Sequence, residues 1–176
     1  CSSDLLDGLG CGLFGSTRAW GKISADLARD LSGGGKSTLW GADGGASPAD
    51  AALANGTALH GFEIDDIHLR AMLHPGAVTI PAALALAESR GSSGGELLTS
   101  IVAGYEIGCR VGICAGTAHT LRGYHSTGTV GCLGAAAAGA SVLHLGAQAA
   151  MHALADRKST RLNSSHVSES RMPSSA

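Results

Sequence analysis

Gly104, Gly108, Gly112 and Gly116 recur at every fourth position of a stretch whose apolar residues, Leu97, Leu98, Ile101, Val102, Tyr105 and Ile107, follow a helical pattern. A glycine costs about 1 kcal/mol relative to alanine inside a helix. A chain that keeps a stripe of them must recover that energy by close helix-helix approach. The small-residue stretch after Thr127 (Gly128, Gly131, Gly134, Ala138) is the natural partner. With two Trp, two Tyr and two Phe in 176 residues against 27 Gly, bulky side chains cannot fill the core, so tightly apposed helices must.

The remaining patterns agree. Leu5, Leu6, Leu9 and Leu13 fall at helical spacing, and Trp20, Ile23, Leu27 and Leu31 repeat it after a break at Gly15-Ser16-Thr17. These predict two amphipathic helices. Gly33-Gly34-Gly35 ends the second, and Lys36 to Ala46 is a Gly-rich connector. Ser47-Pro48-Ala49-Asp50 places a capping hydroxyl, a first-turn proline and an acid at a helix start, predicting a helix to about His60. Pro75 and Pro81 bracket a restart, with a helix resuming from Ala82 to Glu88. Ser93-Gly94-Gly95-Glu96 is a capping box for a long helix to about Ala115. Strand patterns are almost absent. Residues 1–155 are expected to form an all-α, single-domain unit that is part of something larger.

Asp156 to Ala176 matches, in order and in frame, the translation of a common sequencing adaptor. It is set aside as an artefact expected to be disordered. The start at Cys1 without Met likewise marks the chain as an expected internal fragment of a longer reading frame. Residues 1–155 then carry eight basic and twelve acidic residues, a net charge of −4, which argues against a nucleic-acid surface. Five cysteines without a Cys-x-x-Cys pair predict buried, reduced thiols in a cytoplasmic protein. The uncharged run from Ser126 to Ala150 contains His144 and lacks a basic flank, so a buried helix is expected there and no membrane association.

Against this apolar background, Glu63, Asp65, Asp66, His68 and His74 crowd into a dozen residues. Mutual repulsion among carboxylates raises at least one pKa towards neutrality, which makes an acid or base; a solvated, helix-capping loop would have the same composition. Pro75 forces an extended backbone at His74 and holds its imidazole clear of the following helix. Gly123-Tyr124-His125-Ser126-Thr127-Gly128-Thr129 sets a further histidine and hydroxyls before a small-residue helix, whose unpaired N–H groups suit a carboxylate. His60, His119, His144 and His152 have no sequence companions and read as structural or exposed. Lys36-Ser37 lacks the first glycine of a phosphate loop, Asp30 standing there. Asn55-Gly56-Thr57 matches a glycosylation acceptor only by chance. Ligand spacing is irregular throughout, and no metal is expected.

The order and wording of Ala54-Asn55-Gly56-Thr57-Ala58, Phe62 to His68, Leu73-His74-Pro75-Gly76, Ile80 to Ala85, Ile101 to Glu106 and Gly123 to Gly131 resemble the MmgE/PrpD family. That family includes 2-methylcitrate dehydratase, cis-aconitate decarboxylase and iminodisuccinate epimerase. The resemblance implies part of the large helical domain of a cytoplasmic, homodimeric enzyme that needs no metal or other cofactor. By position, Glu63, Asp65 and Asp66 match its Asp-rich motif, Glu63 standing where the first Asp is common and Ile67 where Thr is usual. His74 and His125 match its two active-site histidines.

What this implies is a lyase acting on a small polycarboxylate, 2-methylcitrate dehydratase-like, with decarboxylase-like and epimerase-like reactions as alternatives. His74 and His125 would be acid and base, Glu63 or Asp66 would tune or orient an imidazole, and Asp65, Ser126, Thr127, Gly128 and Thr129 would hold substrate. The contrasting expectation is a catalytically idle helical dimerisation module. In that case His74 and His125 would lie more than about 12 Å apart, beyond hydrogen-bond reach even through a water.

Overall fold

A computed structural model describes residues 2–155, so the adaptor-like segment 156–176 lies outside the described residues. The elements run α1 (Ser2–Ser16), α2 (Ala19–Ser32), β1 (Ser37–Thr38), β2 (Gly45–Ala46), α3 (Pro48–His60), α4 (Pro75–Arg90), α5 (Gly94–Leu121) and α6 (Ser126–Val142), followed by a helical segment over 147–155. β1 and β2 form a short antiparallel pair, Ser37 opposite Ala46, inside the Gly-rich connector. Apart from an isolated antiparallel bridge between His68 and Leu73, the remaining regular structure among the described residues is helical.

Several ends are those their side chains dictate. Ser47 caps α3 by accepting from the Asp50 N–H at 3.2 Å. Gly33 closes α2 in the left-handed region at φ 61°, where a Cβ would be strained. At α5 the capping box is complete, with the Ser93 N–H donating to Glu96 at 2.7 Å and the Glu96 N–H donating back to the Ser93 hydroxyl at 3.3 Å.

Three expectations need correction. First, α4 opens at Pro75 rather than Ala82 and runs through Pro81. Pro75 occupies the first turn, where its missing N–H is not needed. Pro81 leaves the Ala77 carbonyl without its helical partner, but that carbonyl faces Gly56 of α3, where a Cβ would approach to 3.0 Å. Burial of Pro81 below 2% exposure offsets part of the loss. Second, α5 continues past Ala115 through a non-helical Gly116 (φ 63°, ψ −177°) to Leu121, so the expected end marks a kink.

Third, α2 turns its leucine stripe outward. Ile23, Leu27 and Leu31 are 68%, 51% and 66% exposed, and Gly21, Ala25 and Ala28 make the buried face instead. Small residues win because α2 comes so close to its neighbours that a Cβ on Gly21 would overlap the Gly15 carbonyl. The stripe joins Leu53 of α3 along an open apolar groove.

The glycine ladder holds at its centre. A Cβ on Gly104 or on Gly134 would each lie 2.9 Å from the other's carbonyl oxygen, and one on Gly108 would lie 3.4 Å from the Gly134 Cα. Beyond that the partners change: Gly112 packs against the Ala71 carbonyl and Gly131 against Val78 of α4. α5 is long and apolar enough to cross a membrane, as core helices also are, and its Gly104, Gly108 and Gly112 are buried within the protein.

Polar groups in the interior are used up structurally. The Asn55 side chain accepts from the Trp40 N–H at 2.9 Å and donates to the Thr38 carbonyl at 2.8 Å. The Ser37 hydroxyl donates to the Ala85 carbonyl at 2.7 Å. Neither a glycan nor a phosphate therefore has access to these motifs. Of the described cysteines, all free, Cys11 is buried, Cys109 and Cys132 are half-buried and Cys114 is exposed.

α1 offers an internal contrast for testing the packing. A Cβ at Gly15 would overlap the Ala58 carbonyl of α3, whereas Gly10 meets nothing within 4 Å. Gly15→Ala is expected to cost about 2–3 kcal/mol, and Gly10→Ala to be neutral or stabilising by up to about 1 kcal/mol. Urea denaturation of the two variants checks both.

Candidate active site

Three helix termini meet at one place, and each brings a histidine. His60 is the last residue of α3, His74 precedes α4 as its N-cap, and His125 precedes α6 in the same position. The His60 ring lies in the middle, its centroid 4.7 Å from that of His74 and 5.7 Å from that of His125, the latter pair stacked at 29°. The α4 and α6 starts are tied together directly, because the His74 backbone N–H donates to the Thr127 hydroxyl at 3.1 Å. His125 holds its own helix start, its Nδ1 accepting from the Gly128 N–H at 3.3 Å.

Beneath the rings sits Asp65, whose side chain has 0% exposure. Its oxygens lie 3.1 and 3.2 Å from His60 Nδ1, and Oδ1 lies 3.4 Å from His74 Nδ1, an electrostatic contact rather than a hydrogen bond. A fully buried carboxylate must be paired to stay ionised. The hydrogen bond to Asp65 raises the His60 pKa above the ordinary 6.5, against the opposing effect of burial. An imidazolium is also well placed at a helix C-terminus. His60 Nε2 is buried without a hydrogen-bond partner.

Asp66 points the other way. Its Oδ1 accepts from the Gly76 N–H at 3.1 Å, so it caps α4 in place of the absent His74 side-chain cap. Burial raises its pKa despite that bond. The Tyr105 hydroxyl lies beside the carboxylate without direct hydrogen-bond geometry, and desolvation pushes the Tyr105 pKa up in turn. Glu63 adopts φ 53°, an uncommon conformation for a residue with a side chain.

His60, Glu63, His125, Thr127, Gly128 and Val78 line an open cavity of about 810 Å³, within the size range of small-molecule sites. Two donor sets could hold a metal, His60–Glu63–His125 and His60–Asp65–His74, each with its ligand atoms within 4.8 Å of one another.

The MmgE/PrpD N-terminal domain model matches residues 2–169. The chain belongs to the MmgE/PrpD family. It is 38% identical over 149 residues to the cis-aconitate decarboxylase-like protein oryM of Aspergillus oryzae, covering 80% of this chain and 31% of that protein. It is 34% identical over 157 residues to human cis-aconitate decarboxylase, covering 86% and 32% respectively. The mouse cis-aconitate decarboxylase is 32% identical over 158 residues, again covering 86% and 32%. The chain therefore spans about a third of the length of these relatives. The family match runs past residue 155 into the adaptor-like segment, as far as residue 169.

The residues singled out in the MmgE/PrpD motifs take distinct places. Glu63 and His125 line the cavity, and His74 lies behind His60, so both motif histidines flank one ring and sit well inside 12 Å of each other. Asp65 is sealed below the imidazoles, where a ligand in the cavity cannot touch it, and Asp66 faces α4. Thr127 and Gly128 reach the cavity wall. Ser126 is buried with its hydroxyl against Thr120 at 3.3 Å, and Thr129 donates to the His125 carbonyl at 2.9 Å. The helix-start N–H groups of Gly128 and Thr129 are occupied by His125 itself.

His60 is the residue that sequence spacing missed. Its signal was its place at the end of α3, five residues before Asp65, which becomes meaningful only once Gly61 turns the chain back. His68 is local structure, its Nδ1 accepting from the Ala71 N–H at 3.1 Å. His119 stacks on Tyr124 and pairs with Thr129, and His144 contacts Glu96.

The raised His60 pKa carries a sign. The native state binds that proton more tightly than the unfolded chain does, so the stabilisation is complete below about 6.5 and is lost as pH rises through the raised folded value. The wild-type melting temperature is expected to fall above about pH 6.5, and that fall to be shallower in His60→Gln. Calorimetric scans across the window check it.

Proposed function

We propose that the full-length protein containing this chain is a lyase acting on a small polycarboxylate, and that decarboxylation of cis-aconitate is the reaction it performs. The observation that carries this reading is the single wall of imidazoles over a buried carboxylate, in a chain whose relatives are named as cis-aconitate decarboxylases or decarboxylase-like. Those names favour decarboxylation over the 2-methylcitrate dehydration that the motifs alone suggested. The shared wall also favours an enzyme over an idle dimerisation module.

In the proposed step the carbon–carbon bond to one substrate carboxylate breaks and CO₂ leaves. The electron pair delocalises into the neighbouring conjugated carboxylate, and a proton from an imidazolium then quenches it on carbon. His60, whose hydrogen bond to Asp65 makes it hold its proton more tightly than a free imidazole, is suited to that donation, and solvent restores its proton. His125 and Glu63 border the same space, with His125 as the partner acid or base. His74 and Asp65 orient His60. The step moves protons and CO₂ alone, so it calls for no redox cofactor.

The free thiols support a reducing, cytoplasmic compartment. The exposed Ile23, Leu27, Leu31 and Leu53 stripe supports a covering surface, as in a homodimer. CO₂ release by the full-length enzyme tests the proposal. Turnover of cis-aconitate is expected to drop about 100-fold or more in His60→Asn and in His125→Asn. Dehydration of 2-methylcitrate with cis-aconitate left intact would overturn it.

A further inference from the structure

The acid-base reading leaves unexplained why His60 Nε2 is buried without a partner next to a strained, cavity-facing carboxylate, Glu63. We infer that His60, Glu63 and His125 form a binding site for a borderline divalent cation, with Zn²⁺ as the representative case. The two rings offer these donors once the cation displaces a proton. His60 Nδ1 is held by Asp65, so Nε2 is the available nitrogen. His125 Nδ1 accepts the Gly128 N–H in a long contact of 3.3 Å, so the neutral ring carries its proton on Nε2, and a cation bound there shifts that proton to Nδ1 and displaces the Gly128 contact.

Zinc with bonds of about 2.0–2.1 Å sets its ligands about 3.3 Å apart. One ring nitrogen of each histidine and a Glu63 carboxylate oxygen already lie within 4.8 Å of one another, and Glu63, exposed on the cavity rim, can close the difference by a side-chain rotation. Two imidazoles and one carboxylate match the ligand preference of zinc, and the cavity leaves its fourth position open. Asp65 supplies the support such sites ordinarily have, a carboxylate on the far nitrogen of a ligating histidine.

The alternative set, His60–Asp65–His74, is a poor competitor. Asp65 is fully buried there and already pairs with the Nδ1 atoms of both rings, so a cation would have to displace those contacts and enter a sealed space. The inference does not depend on which reaction the full-length protein performs. If that reaction uses these imidazoles, bound Zn²⁺ would take their lone pairs and inhibit it.

Titration of the 176-residue chain with Co²⁺, followed by displacement with Zn²⁺, tests the site. One equivalent of Co²⁺ is expected to give the visible bands of a four-coordinate nitrogen and oxygen site, abolished by Zn²⁺. Glu63→Gln, which keeps shape, and His125→Asn, which keeps a helix-capping side chain, should each weaken Zn²⁺ binding at least about 10-fold. Asp65→Asn should weaken it by about 10-fold or more through His60. Circular dichroism of the variants separates loss of a ligand from loss of fold. Absence of saturable binding, a near-ultraviolet thiolate band marking cysteine ligation, or unchanged affinity in both Glu63→Gln and His125→Asn would overturn the inference.

Discussion

A carboxylate with no access to solvent has to be answered by positive charge or strong donors, and Asp65 is answered by two imidazoles. That pairing dictates much of the site. It fixes the His60 ring through two close oxygen contacts at Nδ1, draws His74 alongside, and turns the other face of His60 towards His125 and the cavity. Removing one partner from a buried ion pair leaves an uncompensated charge and costs several kcal/mol, so the cluster stands or falls together.

Close packing of small residues is what makes this meeting possible. α5 and α6 touch backbone to backbone at Gly104 and Gly134, and α4 lies against both through Thr79, Val78 and Gly131. Because the helices approach so nearly, their ends converge, and His74 and His125 are brought together from positions distant in sequence. Glycine's cost in helix interiors is thus offset by geometry that larger residues would forbid. Gly76 serves the same end at shorter range, since a Cβ there would overlap Asp66 and break its bond to the start of α4.

Local signals were legible in the sequence, and signals set by tertiary contact were not. The caps at Ser47 and Ser93 and the glycine stop at Gly33 follow from chemistry confined to a few residues, whereas the helix end expected at Ala115 is a kink within α5. The facing of α2 does not, because whether leucines or small residues point inward depends on how closely a neighbour approaches. The continuation of α4 through Pro81 rests on a glycine in another helix. At the site, His74 and His125 were legible from motif wording, while His60 was not, because its partner Asp65 lies across a turn. The expectation that Asp65 would touch substrate failed to foresee its complete burial.

If the Asp65–His60 pair organises the site, His60 should titrate as a perturbed imidazole. Nitrogen-detected NMR titration of the histidine rings measures this directly in the wild type and in Asp65→Asn. The pairing predicts that His60 gains its proton above the ordinary value of 6.5, and that Asp65→Asn, leaving burial opposed only by the smaller effects of Glu63 and Asp66, lowers it towards that value or below. A His60 that titrates at or below 6.5 in the wild type, or whose titration does not fall in Asp65→Asn, would contradict the account.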